Sequence, residues 1–255
     1  MSDKKLLYLA ILAGEIMIKS TAEIYRANDT MERILHTGNY KKIDTFVSTN
    51  GLFASVETAD GQLLTTVKTV KEASLQLAKI AAVNDVSRML VDGKITIDDA
   101  HARLKQIAAE QTYSFAAILL GYGVAAASIT YILGGAYLDS ANSFLTTIAL
   151  TFVMHFIGKK KVSSILLNII GGISVGAVAL ALFQLGIGTQ LDKIIGGAIT
   201  PLISGMLFIS AVRDFFEEDF LSGTIRLTDA MLKAVGIAAG VGIVLGIWNS
   251  IGGLL

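Results

Sequence analysis

The chain has 255 residues, no cysteine and a formal net charge of zero, and 53% of it is hydrophobic, with a mean hydropathy of +0.63. That is too apolar for an ordinary soluble domain and marks an integral membrane protein. The balanced charge, with no basic patch, argues against nucleic acid as a partner, and the lack of cysteine excludes a disulfide framework and a thiolate metal site.

The N-terminus, MSDKKLLYLAILAGEIMIKS, sets two lysines before an apolar run, as a secretory signal does. The run is short, and Glu15 and Lys19 follow in helical register, so it reads as an amphipathic first helix over 6–20. A second helix is expected over 23–36, with Ile24, Ala27, Met31 and Ile34 on one face. Glu23, Arg26, Thr30 and Arg33 share the opposite face, with Asp29 beside it. Solvated ion pairs explain that face as well as a functional motif does. IDTFVST and GLFASVET alternate like strands, and ADG before QLLTTV reads as a hairpin turn. Helices are then expected over 71–91 and 97–110. Asp92-Gly93 stops the first, and Thr96 with Asp99 resembles a capping box for the second. Residues 1–112 thus read as a small α+β domain. They contain no glycine-rich phosphate loop, nucleophile elbow or His/carboxylate metal spacing, so no enzyme chemistry, cofactor or metal is expected.

From residue 113 the composition changes. Residues 1–112 hold 14 basic and 14 acidic side chains and 5 glycines; residues 113–255 hold 7, 7 and 20. Five uncharged stretches follow, at 113–138, 140–158, 162–190, 194–212 and 234–255, each long enough for a spanning helix. The fold class expected is therefore a cytoplasmic α+β domain, 1–112, followed by an all-α membrane domain of five transmembrane helices, 113–255. Lys159, Lys160 and Lys161 follow the second stretch, and Arg213, Arg226 and Lys233 follow the fourth; the connections around Asp139 and Asp192 carry only Lys193. The positive-inside rule puts 1–112 and both basic loops in the cytoplasm and the C-terminus outside. Gly172 and Gly176, Gly236 and Gly240, and Gly242 and Gly246 have the four-residue spacing that brings helices close in lipid, although glycine is also simply common there. Five is an odd number of spans, so the chain reads as one half of a transporter built from two similar halves.

The only proline, Pro201, lies in GGAITPLISGMLFISAVRD. It cannot donate to the Gly197 carbonyl. The expected break is near 197–200, with Thr200 as N-cap and Pro201 as the first residue of a restarted half-helix. The N–H groups of Leu202, Ile203 and Ser204 would then face a carboxylate, and freed carbonyls a cation or ammonium. A mere kink healed by neighbours is the alternative. Ser143, Thr147 and Thr151 share one face of the second stretch, as a substrate path or as interhelical glue. His155, near Lys159, reads as an interfacial histidine more readily than as a proton carrier. Any proton coupling would use Asp139, Asp192, Asp214, His155 or a partner chain.

Three segments, AGEIMIKSTAEIYRANDTMERIL, VNDVSRMLVDGKITIDDAHARL and GGAITPLISGMLFISAVRDFFEEDFLSG, resemble the threonine/serine exporter family over nearly the whole chain. The likeness is closest to the split form, in which one chain carries a cytoplasmic domain and five spans and a short second membrane chain supplies the rest. One such pair is a succinate exporter, and fused relatives export threonine and serine. The resemblance implies a bacterial plasma-membrane secondary exporter of small carboxylate-bearing metabolites, with a short five-span partner, surrounding lipid and no cofactor. The family's Pro-Leu-x-Pro-Gly signature falls on Pro201, Leu202, Ile203, Ser204 and Gly205, with Ser204 in place of the second proline; Ser210 stands where asparagine is usual. The implied substrate site is Thr200–Gly205 with Ser210, Ser143 and Thr147. Arg213, Asp214 and His155 are implied for coupling or gating, and Glu23, Arg26, Asp29 and Thr30 as the cytoplasmic motif. A homo-oligomer is the alternative to the second chain. A membrane-anchored regulatory or channel subunit with a ligand-sensing cytoplasmic domain is the alternative function.

Overall fold

The computed structural model describes residues 2–70, 74–110, 113–158, 162–203 and 205–252. The lysine run 159–161, Ser204, Leu255 and the expected helix start at 71 lie outside the described residues. The chain divides into two compact units: residues 1–112 with 206–227, and residues 113–205 with 228–255.

The first unit is built around α1 (Ser2–Lys19), followed by α2 (Ile24–Leu35), β1 (Tyr40–Ser48), β2 (Gly51–Thr58), β3 (Leu63–Thr69), α3 (Leu77–Val91) and α4 (Ile97–Ala109). Here α1 departs from its expected amphipathic character. Leu9, Ala10, Ala13 and Met17 are fully buried, with Leu6, Leu7, Ile11, Ile16 and Ile18 close to it. A helix apolar nearly all round belongs inside, with elements packed on several sides. Its one charged interior group, Glu15, is held by Lys19 at 2.7 Å and Lys68 at 3.2 Å. The strands form an antiparallel meander in the order β1-β2-β3, with Phe46 paired to Phe53 across the first hairpin. One face carries Val47, Leu52, Ala54 and Val56 into the core. The Asp60-Gly61 turn forms as the sequence implies, with Gly61 at φ +83. The Thr96/Asp99 capping box is present in both directions, at 3.1 and 3.2 Å.

The second unit holds α5 (Phe115–Ile132), α6 (Tyr137–Ile157), α7 (Ser164–Gln184), α8 (Leu191–Ala198) and the later part of α10 (Phe220–Gly252); α9 (Gly205–Phe216) precedes α10. Among the described residues, four helices are long and apolar enough to cross a membrane: α5, α6, α7 and α10 over Phe220–Ile251. The expected fourth span, 194–212, is not one helix but the end of α8, a turn and most of α9. The fifth begins earlier than expected, because 220–233 continues as helix instead of forming a loop; Lys233 and Asp229 pair along it at 2.7 Å.

Close packing of α7 and α10 explains part of the glycine content. A Cβ on Gly172 would run into the Ile237 carbonyl, and one on Gly240 into the Ile169 carbonyl. Gly236 lies against the Ile165 carbonyl in the same way, and Gly176 against the Val244 side chain. The pair Gly242 and Gly246, which has the same spacing in sequence, has nothing among the described residues within 4 Å of its Cβ positions.

Candidate functional site

In the second unit, the break after α8 is closed by its own backbone. Thr200 N–H donates to Gly197 O at 3.1 Å, Leu202 N–H to Ile199 O at 2.9 Å, and Ile203 N–H to Ile199 O and Thr200 O at 3.2 Å each. Pro201 therefore occupies the second position of the Thr200–Ile203 turn, where its fixed φ suits it, and the helix restarts at Gly205. This corrects the expected half-helix in two respects. Thr200 gives its carbonyl to the turn instead of capping a helix, and the N–H groups of Leu202 and Ile203 are already used. Ser204 lies outside the described residues. Leu202 is buried against Gly171, and Ile203 is exposed.

Beside this turn stands a buried hydroxyl face of α6. Ser143, Thr146 and Thr147 are all fully buried. Thr147 Oγ1 donates to the Ala198 carbonyl at 3.5 Å, at the C-terminal end of α8. Gly197 fits against Thr130, the Ala126 carbonyl and Ser143, so closely that any Cβ would collide. Among the described residues, Ser143 Oγ has no hydrogen-bond partner. Nearer the start of α6, Asp139 accepts from the backbone N–H groups of Ala136, Thr189 and Gln190, and Asn142 Nδ2 donates to the carbonyls of Ala179 and Ile187. Asp139 is thus committed to capping α6 and pinning the loop before α8. His155 packs against Phe115 with ring centroids 4.4 Å apart and the rings tilted, in an aromatic cluster with Phe156.

In the first unit, the turn between α1 and α2 meets α9 and the first turns of α10. Arg213 pairs with Glu23, donates to the Tyr25 hydroxyl at 3.4 Å and lies over the Tyr25 ring at 5.7 Å. Asp214 and Arg226 are 2% and 5% exposed, with Arg226 Nε 3.4 Å from Asp214 Oδ2. Arg226 Nη2 donates to the Ala22 carbonyl at 2.8 Å, and the Ile24 N–H donates to Asp214. The side chain of Glu23, the N-cap of α2, makes no cap bond, so Asp214 supplies that first turn with its acceptor. Burial pushes the Asp214 carboxyl up to about 6, against the pull of Arg226, and Asp219 and Glu23 add to the rise. Ser210 is also buried.

The implied residues fall into separate groups. Ser143 and Thr147 join the end of α8; Glu23 joins Arg213, with Asp214 capping the adjoining helix; His155 belongs to neither set. Arg26 pairs with Glu23 at 3.5 Å, and Asp29 pairs with Arg33. Thr30 leaves the polar face expected of it, because it is fully buried and bonded to Asn84 of α3 at 3.2 Å. Arg226 stands out in the sequence only as a loop charge. No local sequence signal marks it as buried, because the partners that bury it, Asp214 and the Ala22 carbonyl, are distant in the chain.

A family model described as "Putative threonine/serine exporter" matches residues 8–248. The chain is similar to the threonine/serine exporter of Corynebacterium glutamicum, with 23% identity over 80% of this chain and 43% of that protein. It is similar also to a "Probable threonine/serine exporter" of Mycobacterium tuberculosis, with 22% identity over 93% of this chain and 45% of that protein. The chain therefore spans under half the length of these relatives. No solved structure matches. With a match covering nearly all of its length, in a family of exporters and not of enzymes, the chain belongs to the threonine/serine exporter family.

Proposed function

We propose that the chain is a subunit of a secondary exporter of small carboxylate-bearing metabolites, threonine and serine or a dicarboxylate such as succinate, completed by a second, short five-span membrane chain. One observation carries the reading: an apolar stretch breaks at the Thr200–Ile203 turn directly beside the buried hydroxyl face of Ser143 and Thr147. Interrupted helices at membrane depth occur where backbone lines a protein-enclosed path. The relatives named as exporters are about twice as long as the matched segment, which supports a second chain carrying the remaining spans. The experiment is metabolite efflux from cells lacking homologues, with this chain alone and with a short five-span membrane chain. Efflux of threonine, serine or succinate only with both chains is the expected result. Full efflux from this chain alone refutes the two-chain reading, and no efflux in either case refutes export.

The proposed setting is a bacterial plasma membrane, with the N-terminus and residues 1–112 cytoplasmic and the C-terminus outside. The lysine and arginine distribution supports it. A cysteine introduced near residue 161 should resist an impermeant thiol reagent added outside, and one at Gly188 should react; the reverse pattern overturns the orientation.

A further inference from the structure

The end of α1 and the segment 74–76 border a cleft that none of the groups described above uses. The Ser74 N–H donates to the Lys19 carbonyl at 2.8 Å and the Gln76 N–H to the Ser20 carbonyl at 3.3 Å, so the chain entering α3 is strapped along the end of α1. That strap satisfies carbonyls that a helix end leaves without partners of its own. The cleft beside it measures about 510 Å³, within the range of small-molecule sites. Leu12 and Ile16 of α1 and Ala108 of α4 give it an apolar wall. Its charge is set by Glu15, Lys19 and Lys79. Glu15 is met twice, by Lys19 at 2.7 Å and Lys68 at 3.2 Å. Lys79 has no carboxylate within ion-pair distance among the described residues. Its ammonium donates to the Ala108 carbonyl at 3.0 Å, in the last turn of α4, where the helix dipole is negative. That bond uses one of three N–H groups and holds the ammonium at the cleft with two left to donate. The Ser74 hydroxyl accepts from Gln76 Nε2 at 2.8 Å, and its own O–H is uncommitted among the described residues.

We propose that this cleft binds a small organic anion with an aliphatic body, of the class of short-chain aliphatic monocarboxylates. The carboxylate sits on Lys79 Nζ and Ser74 Oγ, beside Lys19, and the aliphatic body lies on Leu12, Ile16 and Ala108. Because Lys19 and Lys68 already neutralise Glu15, its charge does not repel the anion. A cation of the same shape would meet Lys19 and Lys79 instead. Serine, threonine and succinate are polar throughout and gain nothing from the apolar wall, so the cleft is separate from any export path in its chemistry. It shares no residue with the Thr200–Ile203 turn or with Ser143 and Thr147, and it stands or falls independently of the export reading.

The test is protection of lysines in the purified full-length chain from limited amine acetylation, read residue by residue by mass spectrometry. The probes are hexanoate, acetate, hexylamine, succinate and L-serine. Hexanoate should protect Lys79 and Lys19 and leave Lys94 and Lys42, which lie outside the cleft, unprotected. Half-protection should need at least about tenfold less hexanoate than acetate, because acetate lacks the buried methylenes. Hexylamine, succinate and serine should protect neither lysine. Lys79→Gln keeps length and polarity at an exposed position and removes the charge. It should raise the hexanoate needed to protect Lys19 at least about tenfold, as expected for losing a charged hydrogen-bond donor. An unchanged melting temperature in this variant shows that the fold is kept. No protection of Lys79 by hexanoate, equal protection by acetate or hexylamine, or unchanged protection of Lys19 in folded Lys79→Gln would each overturn the site.

Discussion

Gly172 of α7 and Gly240 of α10 meet backbone to backbone: the Gly240 Cα lies 3.2 Å from where a Cβ on Gly172 would stand. Neither helix can yield, because the other obstacle at each position is a main-chain carbonyl of its neighbour. Gly172→Ala or Gly240→Ala should therefore cost about 1–3 kcal/mol of stability through overpacking. Gly242→Ala and Gly246→Ala, with open space around both, should cost nothing or stabilise α10 slightly. Thermal or denaturant unfolding of the four variants in detergent checks the contrast; equal losses at all four positions would contradict this packing.

Asp214 and Arg226 make a second contrast. Asp214→Ala strips the buried guanidinium of the one carboxylate within ion-pair distance among the described residues and removes the acceptor at the start of α2, so a loss of about 3–5 kcal/mol is expected. The double variant Asp214→Asn/Arg226→Gln, which leaves no buried charge, should recover most of that loss. The coupling read from the double-mutant cycle measures the pair, and additive losses would mean that the two side chains act independently.

The same carboxyl gives a pH dependence. Its native value, about 6, lies above its ordinary 3.8, so as pH falls the folded state takes up this proton before the unfolded state does. The Asp214 contribution to stability is fully present below 3.8 and is lost as pH rises through about 6. A two-unit displacement corresponds to at most about 3 kcal/mol. Unfolding free energies between pH 4 and 7 should slope downward with pH more steeply in the wild type than in Asp214→Asn. Parallel curves would show that the group titrates normally.

Pro201→Ala restores an N–H within a turn that already bonds Thr200, Leu202 and Ile203 to the end of α8. Alanine fits the second position of such a turn and is a far better helix former, so α8 should lengthen towards α9 without loss of folded yield. Under the export reading, efflux should fall sharply, because the variant removes the interruption at the end of α8 on which that reading rests. Yield and efflux are measured together; full efflux from the variant would reduce Pro201 to a packing feature.

These residues show what could be read from sequence. The break at 197–200 was legible because proline and two glycines act locally, on the carbonyl four back and on helix propensity. The Thr96/Asp99 cap and the Asp60-Gly61 turn were legible for the same reason. The way the break is closed was not, since Leu202 and Ile203 choose between a free helix end and a turn according to what Gly171 and α6 leave space for. The two glycine pairs of α10 are identical in spacing, and only the path of α7 makes one pair a contact. Arg226 and Thr30 misled for a related reason: a polar letter in a polar stretch reads as solvated, and its burial depends on Asp214 and Asn84, which are distant in sequence.

The pairing of Glu23 with Arg213 joins residues 190 apart. At about 5–20 residues per second, synthesis of that interval takes about 10–40 s, during which α5 to α8 must leave the ribosome first. The first unit is thus begun before α5 to α8 are made and finished only after them. Until α9 and the start of α10 arrive, the Ala22 carbonyl and the start of α2 lack the partners that later bury them, so a fragment ending at residue 112 presents an unfinished surface at the turn where Arg226 and Asp214 belong.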